Sequence, residues 1–269
     1  MTNETKFSPE HLQYVKKIKK ETHLVWFLRF SILFVGLLLW ELFAYFGLID
    51  TFITSCPSKI FTTIITLFKE NNFLYHIGVT LYETILGFIL AVGLGYLIAL
   101  FLWWSERARK VLDPYLVVLN SLPKIALGPI IIVWCGSGSK AIIFMAILIG
   151  IIISIITMLN GFLATDKNKI LLLRSMGANK LQVLFKLVIP GSFPTLISML
   201  KISVGMAWVG SIMGEYLVSR AGLGYLIVYG GQVFKLDLVM ASTIILCILA
   251  SLMYASVAFL EKQITNRKK

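Results

Sequence analysis

Six stretches of the chain are apolar almost without interruption: residues 24–46, 77–103, 115–134, 141–159, 194–215 and 238–260. Each is close to or above the ~20 residues that a helix needs to cross a bilayer. The pattern predicts an all-α integral membrane protein with six transmembrane helices. The third stretch contains Pro123 and Pro129, so it is expected to be kinked or broken, with freed carbonyls that must find partners. Ahead of the first, Ser8-Pro9-Glu10 is a helix start with a capping residue and a proline in the first turn. Leu12, Val15 and Ile18 then fall opposite Lys16, Lys17, Lys19 and Lys20, which makes the tail 1–23 a short amphipathic helix lying on the membrane.

Between the fourth and fifth stretches the pattern changes. Asp166 can cap a helix running to Met176, and Gly177 suits the left-handed position that ends one. A second helix is expected from Asn179 to Ile189, with Leu181, Leu184, Phe185 and Val188 on one face, ended by Pro190. A bare connector would need only a few residues. A helix-turn-helix with exposed Leu, Met and Phe beside Arg174, Lys180 and Lys186 suits a grip by another protein.

Composition agrees with the spans: 58% of the 269 residues are hydrophobic and 14% charged, with mean hydropathy +0.87, far from a soluble domain. A net charge of +12 is also compatible with nucleic-acid binding, so the placement of the cations decides. Segments 1–23, 104–113, 161–190 and 261–269 carry five, three, five and four Lys and Arg, seventeen in all, whereas the three segments on the other side carry five. Both termini and the 161–190 loop are therefore expected in the cytoplasm, in a multi-pass protein of the cell membrane with no nucleic-acid partner. The first apolar run is too long for a signal peptide and has no small-residue cleavage site. Cys56, Cys135 and Cys247 lack disulfide or zinc spacing and read as small apolar fillers.

Polar groups inside spans are costly and face partners or water. Glu83 lies about two turns inside the second span, as a pathway residue or as a structural bridge between helices. Glu41 and Glu215 are expected at the outer interface, where water solvates them. Lys124 and Lys201 can snorkel, and Lys124 could also line a cavity that suits an anion, or mark a kink. Ser121, Trp208, Ser211 and Glu215 complete the pathway candidates by position, with core packing the favoured role for Trp208. Gly87, Gly93, Gly95, Gly205, Gly210 and Gly214 would let spans two and five approach neighbours closely.

The loop resembles the "EAA" coupling loop of ABC-importer permease subunits, whose pattern is Glu-Ala-Ala, a glycine, nine residues, then Ile-x-Leu-Pro. Gly177, Leu187, Ile189 and Pro190 take the matching places, and Arg174, Ser175, Met176, Ala178 and Asn179 continue in register. Leu171, Leu172 and Leu173 stand where Glu-Ala-Ala would. Further matches, "TLYETILGF" at 80–88, "LDPYLVVLNSLPKIALGPIIIVWCGSG" at 112–138, "GMAWVGSIMGEYL" at 205–217 and "GLGYLI" at 222–227, are similar to permeases of the taurine, alkanesulfonate and nitrate branch. The likeness covers 52–262, with its core at about 74–262.

That resemblance implies the type I importer permease fold, a transmembrane domain over 24–262, a coupling helix in 161–190 and a basic cytoplasmic tail at 263–269. It implies a homodimer of the permease in membrane lipid, two cytoplasmic ATPase subunits that bind ATP and Mg, and an extracytoplasmic solute-binding protein. The chain itself lacks GxxxxGK[ST], since "GSGSK" at 136–140 has the wrong spacing, and no catalytic or metal constellation is visible. The solute implied is a sulfonate-, taurine- or nitrate-like anion, a vitamin precursor or an aromatic compound. "GLGYLI" is expected as an external gate loop or short helix. The competing readings are an ion-gradient transporter using Glu83, which lacks a second acid nearby in sequence, an intramembrane enzyme and a structural scaffold.

Overall fold

A computed structural model describes residues 9–69 and 72–266. Ser8, the tail beyond residue 266 and the side chains of Leu12, Val15 and Lys16, on which part of the amphipathic reading rests, lie outside the described residues. Within them the chain forms helices α1 (Pro9–Tyr45), α2 (Thr51–Thr54), α3 (Pro57–Lys69), α4 (Phe73–Trp104), α5 (Glu106–Ser121), α6 (Gly128–Cys135), α7 (Ser139–Leu163), α8 (Lys167–Ser175), α9 (Lys180–Val183), α10 (Ile189–Gly191), α11 (Phe193–Val218), α12 (Leu223–Gln232) and α13 (Leu236–Asn266). Five are long and apolar enough to cross a bilayer, and α5 together with Lys124–Cys135, bent by 87°, makes a sixth. The helix start expected before the first span is seen at Pro9, but α1 runs unbroken from there to Tyr45, so the tail and the first span are one helix.

The described residues divide after Thr63 into two compact units. In the first, Asp50 caps α2 by accepting the Phe52 N–H at 2.8 Å. Glu41 accepts the Ser58 N–H at 3.1 Å, a donor at the start of α3 that would otherwise lack a partner. Its role is thus a cap more than a solvated interfacial charge. The apolar side chains of α1, such as Phe30, Ile32 and Phe34, are exposed, as contact with lipid requires.

The second unit is built on α4, α7 and α11. Lipid supplies no hydrophobic force between helices, so close packing and interhelical hydrogen bonds must hold them. A Cβ added at Gly87 or Gly95 of α4 would stand 2.5 Å from the Cβ of Ala146 or Ser154 on α7. At Gly210 of α11 it would stand 2.5 Å from the Ala146 backbone. Gly93 and Gly205, expected to serve in the same way, have nothing within 4 Å, because they lie on the open faces of their helices. Thr84 and Ser211 hydroxyls bond at 2.6 Å, and those of Ser154 and Ser203 at 3.0 Å. Lys201 does not end in headgroups: its ammonium meets Glu261 of α13 at 2.5 Å, a nearer countercharge than the membrane surface. Cys56 is buried and Cys135 half-buried, but Cys247 is exposed on α13, so it fills no core.

The break in the third span is a turn, Pro123 followed by the 3₁₀ segment Lys124–Leu127. Pro129 kinks nothing; it sits in the first turn of α6, where its missing N–H costs no hydrogen bond. Lys124 Nζ donates to the Asn120 carbonyl at 3.2 Å, one of the groups freed where α5 stops. The cavity beside it, about 160 Å³, is apolar and lined by Leu119, Leu127 and Ile151 among others. Both observations favour the kink over an anion site at Lys124.

Candidate functional site

At one end of α7 the chain makes the expected helix-turn-helix. Asp166 Oδ1 accepts the Asn168 N–H at 2.8 Å and caps α8. Gly177, at φ +83°, donates to Arg174 O while Ala178 donates to Leu173 O, both at 2.9 Å, the pairing that closes a helix through a left-handed residue. Asn179 and Gln182 then form a reciprocal capping box at 2.8 and 2.9 Å. These turn residues leave the chain little choice of angle.

The second helix departs from the expected single run to Ile189. After α9 it widens into a π-turn, Leu184–Val188, and Pro190 does not end it, since α10 carries the path to Gly191. Proline lacks an N–H and crowds the carbonyl four residues back; the wider turn relieves both problems. The expected apolar face also splits. Leu184 and Val188, with Val183, are buried against Met158, Phe162 and Met199, whereas Leu181 and Phe185 are exposed. Leu171, Leu172 and Met176 are exposed as well, at 68%, 61% and 76%. A notch of about 280 Å³, lined by Leu173, Met176, Gly177, Ala178, Gln182 and Lys186, separates the two helices. The ledge therefore pairs a firmly buried root with a greasy outer rim.

Lys180 belongs to the root and not to the rim. Its Nζ donates to the Trp104 carbonyl and lies 5.8 and 4.9 Å from the ring centres of Trp103 and Trp104, so it fastens the ledge to the end of α4. The contact escaped the sequence reading because the residues are far apart along the chain. Lys180→Ala is expected to lower thermal stability by about 1–2 kcal/mol, one hydrogen bond and one cation–π contact, measurable by unfolding of the detergent-solubilised protein.

The opposite end of α7 is about 37 Å away by helix rise. Here Glu83 of α4 and Glu215 of α11 are each 1% exposed. Burial of Glu215 corrects the interfacial reading: α12 folds back over it, and Gly224 N–H donates to its Oε2 at 2.6 Å. Nearby, Leu223 N–H donates to Thr80 Oγ1 at 2.8 Å and Gly222 N–H to His76 Nδ1 at 2.9 Å. A Cβ at Gly222 would collide with the Glu215 carboxyl. "GLGYLI" is thus a short helix latched on α4 and α11. Of the other pathway candidates, Ser211 is buried against Thr84, and Trp208 packs with Phe73 and Leu223. Ser121 is exposed on α5, bonded to the Val117 carbonyl at 3.0 Å. The structure brings Glu83, Ser211 and Glu215 to neighbouring positions on α4 and α11, and leaves Ser121 and Lys124 on a different element.

Residues 91–269 match the family described as binding-protein-dependent transport system inner membrane component. A putative aliphatic sulfonates transport permease protein of Bacillus subtilis, SsuC, is 26% identical over 84% of this chain and 82% of its own. The formylaminopyrimidine transport permease protein ThiX of Halalkalibacterium halodurans is 31% identical over 76% of this chain and 82% of its own. Among solved structures, a bacterial alginate ABC transporter in complex with an alginate pentasaccharide-bound periplasmic protein superimposes with a TM-score of 0.64 at 16% identity, covering 95% of this chain and 96% of that one; the likeness is one of fold.

Proposed function

Because this chain belongs to the family of binding-protein-dependent transport system inner membrane components, we propose that its 167–190 ledge is the seat of a separate ATPase subunit and that its bundle forms half of the pathway. The chain is a membrane-spanning permease subunit of an ABC-type importer. Two copies, each with an ATPase that holds ATP and Mg under its ledge, would complete the transporter. An external binding protein would deliver a small solute, for which the sulfonate and formylaminopyrimidine relatives mark the range. Both termini and the ledge then lie inside the cell. ATP-driven closure of the ATPases moves the ledges, and the pathway alternates between its two openings. Solute moves and is not altered.

One observation carries the ATPase seat: an exposed apolar rim held on a root buried in the core. A rim so placed transmits a push to α7 and α11 without bending, because packed interiors resist deformation. Leucines where the resembling loops carry Glu-Ala-Ala make the grip depend on apolar contact at Leu171 and Leu172. The ion-gradient reading loses one argument against it, since Glu215 supplies the second acid beside Glu83, but family membership decides against it.

Met176→Cys tests the seat. A short bifunctional thiol reagent is expected to join position 176 to a cysteine on the co-purified ATPase, while Phe234→Cys, exposed between α12 and α13, is not joined. Cross-linking from 234 with none from 176 overturns the assignment.

A further inference from the structure

Helix α3, Pro57–Lys69, has 13 residues and rises about 20 Å, too short to cross a bilayer. At about 100° per residue its side chains separate into two arcs. Leu67, Ile60, Ile64, Phe68, Phe61 and Ile65 fill, in that order, an arc of about 160°. Ser58, Lys69, Thr62, Thr66, Lys59 and Thr63 fill the opposite one, with no apolar residue among them.

The protein covers one flank of the apolar arc. Ile60 is buried, and Ile64 and Leu67 pack against the cluster that holds Phe73 and Val204. On the other flank Phe61, Ile65 and Phe68 are 64%, 40% and 50% exposed. Phe68 meets Phe73 edge-on, with ring centres 5.1 Å apart, and still keeps half its surface bare. In the polar arc Ser58, Lys59, Thr62, Thr66 and Lys69 are exposed as well. In bulk water the two phenyl rings and the isoleucine would stay unburied, and in hydrocarbon the two lysines would be stripped of water. Only the layer where lipid meets water suits both arcs at once.

The bare flank also continues along the chain into surfaces open to lipid. Before it, Phe52 and Ile53 of α2 are exposed like the apolar side chains of α1, and Lys59 Nζ ties α2 to α3 by donating to Thr51 Oγ1 at 2.9 Å. After it, Leu74 in the first turn of α4 is exposed. That turn lies about 47 Å by helix rise from Trp104, where Lys180 fastens the ledge.

We propose that α3 is an interfacial anchor. It lies along the membrane at the end of α4 away from the ledge, with Phe61, Ile65 and Phe68 seated at the boundary between phospholipid headgroups and acyl chains and with Lys59 and Lys69 on the water side. The occupant of the bare flank is phospholipid and not a second copy of the chain. The inference rests on the chain's being a membrane permease and is independent of what it carries.

The test places the photoreactive residue p-benzoylphenylalanine at one position at a time, in the assembled complex held in nanodiscs of phosphatidylethanolamine and phosphatidylglycerol. Aromatic for aromatic at an exposed site leaves the packed flank untouched, and positions 61 and 68 serve as replicates should one variant fail to assemble. After near-ultraviolet illumination, mass spectrometry is expected to find phospholipid joined to position 61 or 68, and several-fold less joined to position 66 in the polar arc. A protein adduct from 61 and 68 in place of lipid, whether to a second copy or to another subunit, overturns the proposal by naming a different occupant. No adduct from either position overturns it by placing the flank in water, and equal lipid adducts from 61 and 66 overturn it by removing the two-sided placement. The importer reading is scored separately on the same preparation, by whether an ATPase co-purifies.

Discussion

Gly177→Pro is expected to leave the protein inserted and folded yet reduce ATP-driven uptake by about a hundredfold, from a local cost of about 3 kcal/mol. Gly177 holds φ at +83°, a region closed to proline, whose ring fixes φ near −65°. The substitution also deletes the N–H that bonds Arg174 O. Both effects fall on the hinge between α8 and α9, and neither touches the α4, α7 and α11 packing. The membrane bundle should therefore survive while the rim loses its angle to the root. Uptake in proteoliposomes, read beside ATP hydrolysis by the same complex, checks it: hydrolysis should persist without proportional transport. Wild-type uptake from the variant would remove the ledge from the coupling path.

Gly210→Leu should do the opposite, destroying the bundle and with it the accumulation of folded protein. A Cβ at this position meets the Ala146 backbone at 2.5 Å, with the Ala146 amide nitrogen at 3.1 Å and the Met145 carbonyl at 3.2 Å. A side-chain neighbour could rotate away, but a helix backbone cannot, so α7 and α11 must separate and lose contacts along their length. Overpacking of this kind costs typically about 1–3 kcal/mol, and a backbone collision in the centre of the bundle belongs at or above the upper end. Gly205→Leu on the same helix, with nothing within 4 Å, is the control and should be nearly neutral. Size-exclusion profiles and thermal unfolding of the two variants in detergent separate the cases; equal stability would show that α7 and α11 do not meet at Gly210.

Much of the ledge was legible from local signals. Asp166, Gly177 and Asn179 act within a few residues of themselves, through caps and a left-handed turn, so reading them required no knowledge of the fold. Pro190 misled for an equally local reason: proline normally stops a helix, and nothing in its neighbours announces the π-turn that accommodates it. Its shape depends on Val183, Leu184 and Val188 seating in a core made by other helices. Helices α2 and α3 were missed because they are short and lie outside the long apolar runs on which the span count rests.

The chain by itself determined that it is a membrane protein of about six spans, where the third one breaks, and which segment projects as a helix-turn-helix. These follow from hydropathy, proline and caps, all of which act over one or two helical turns. Only the tertiary structure decided which glycines are contacts, that Lys180 fastens the ledge to Trp103 and Trp104, and that Glu215 leaves the interface to lie buried against Glu83. Helices in lipid are held by close approach and by a few polar contacts between distant residues. Such contacts depend on how one helix is turned against another, a quantity that a pattern of apolar residues nearly uniform around each helix does not encode.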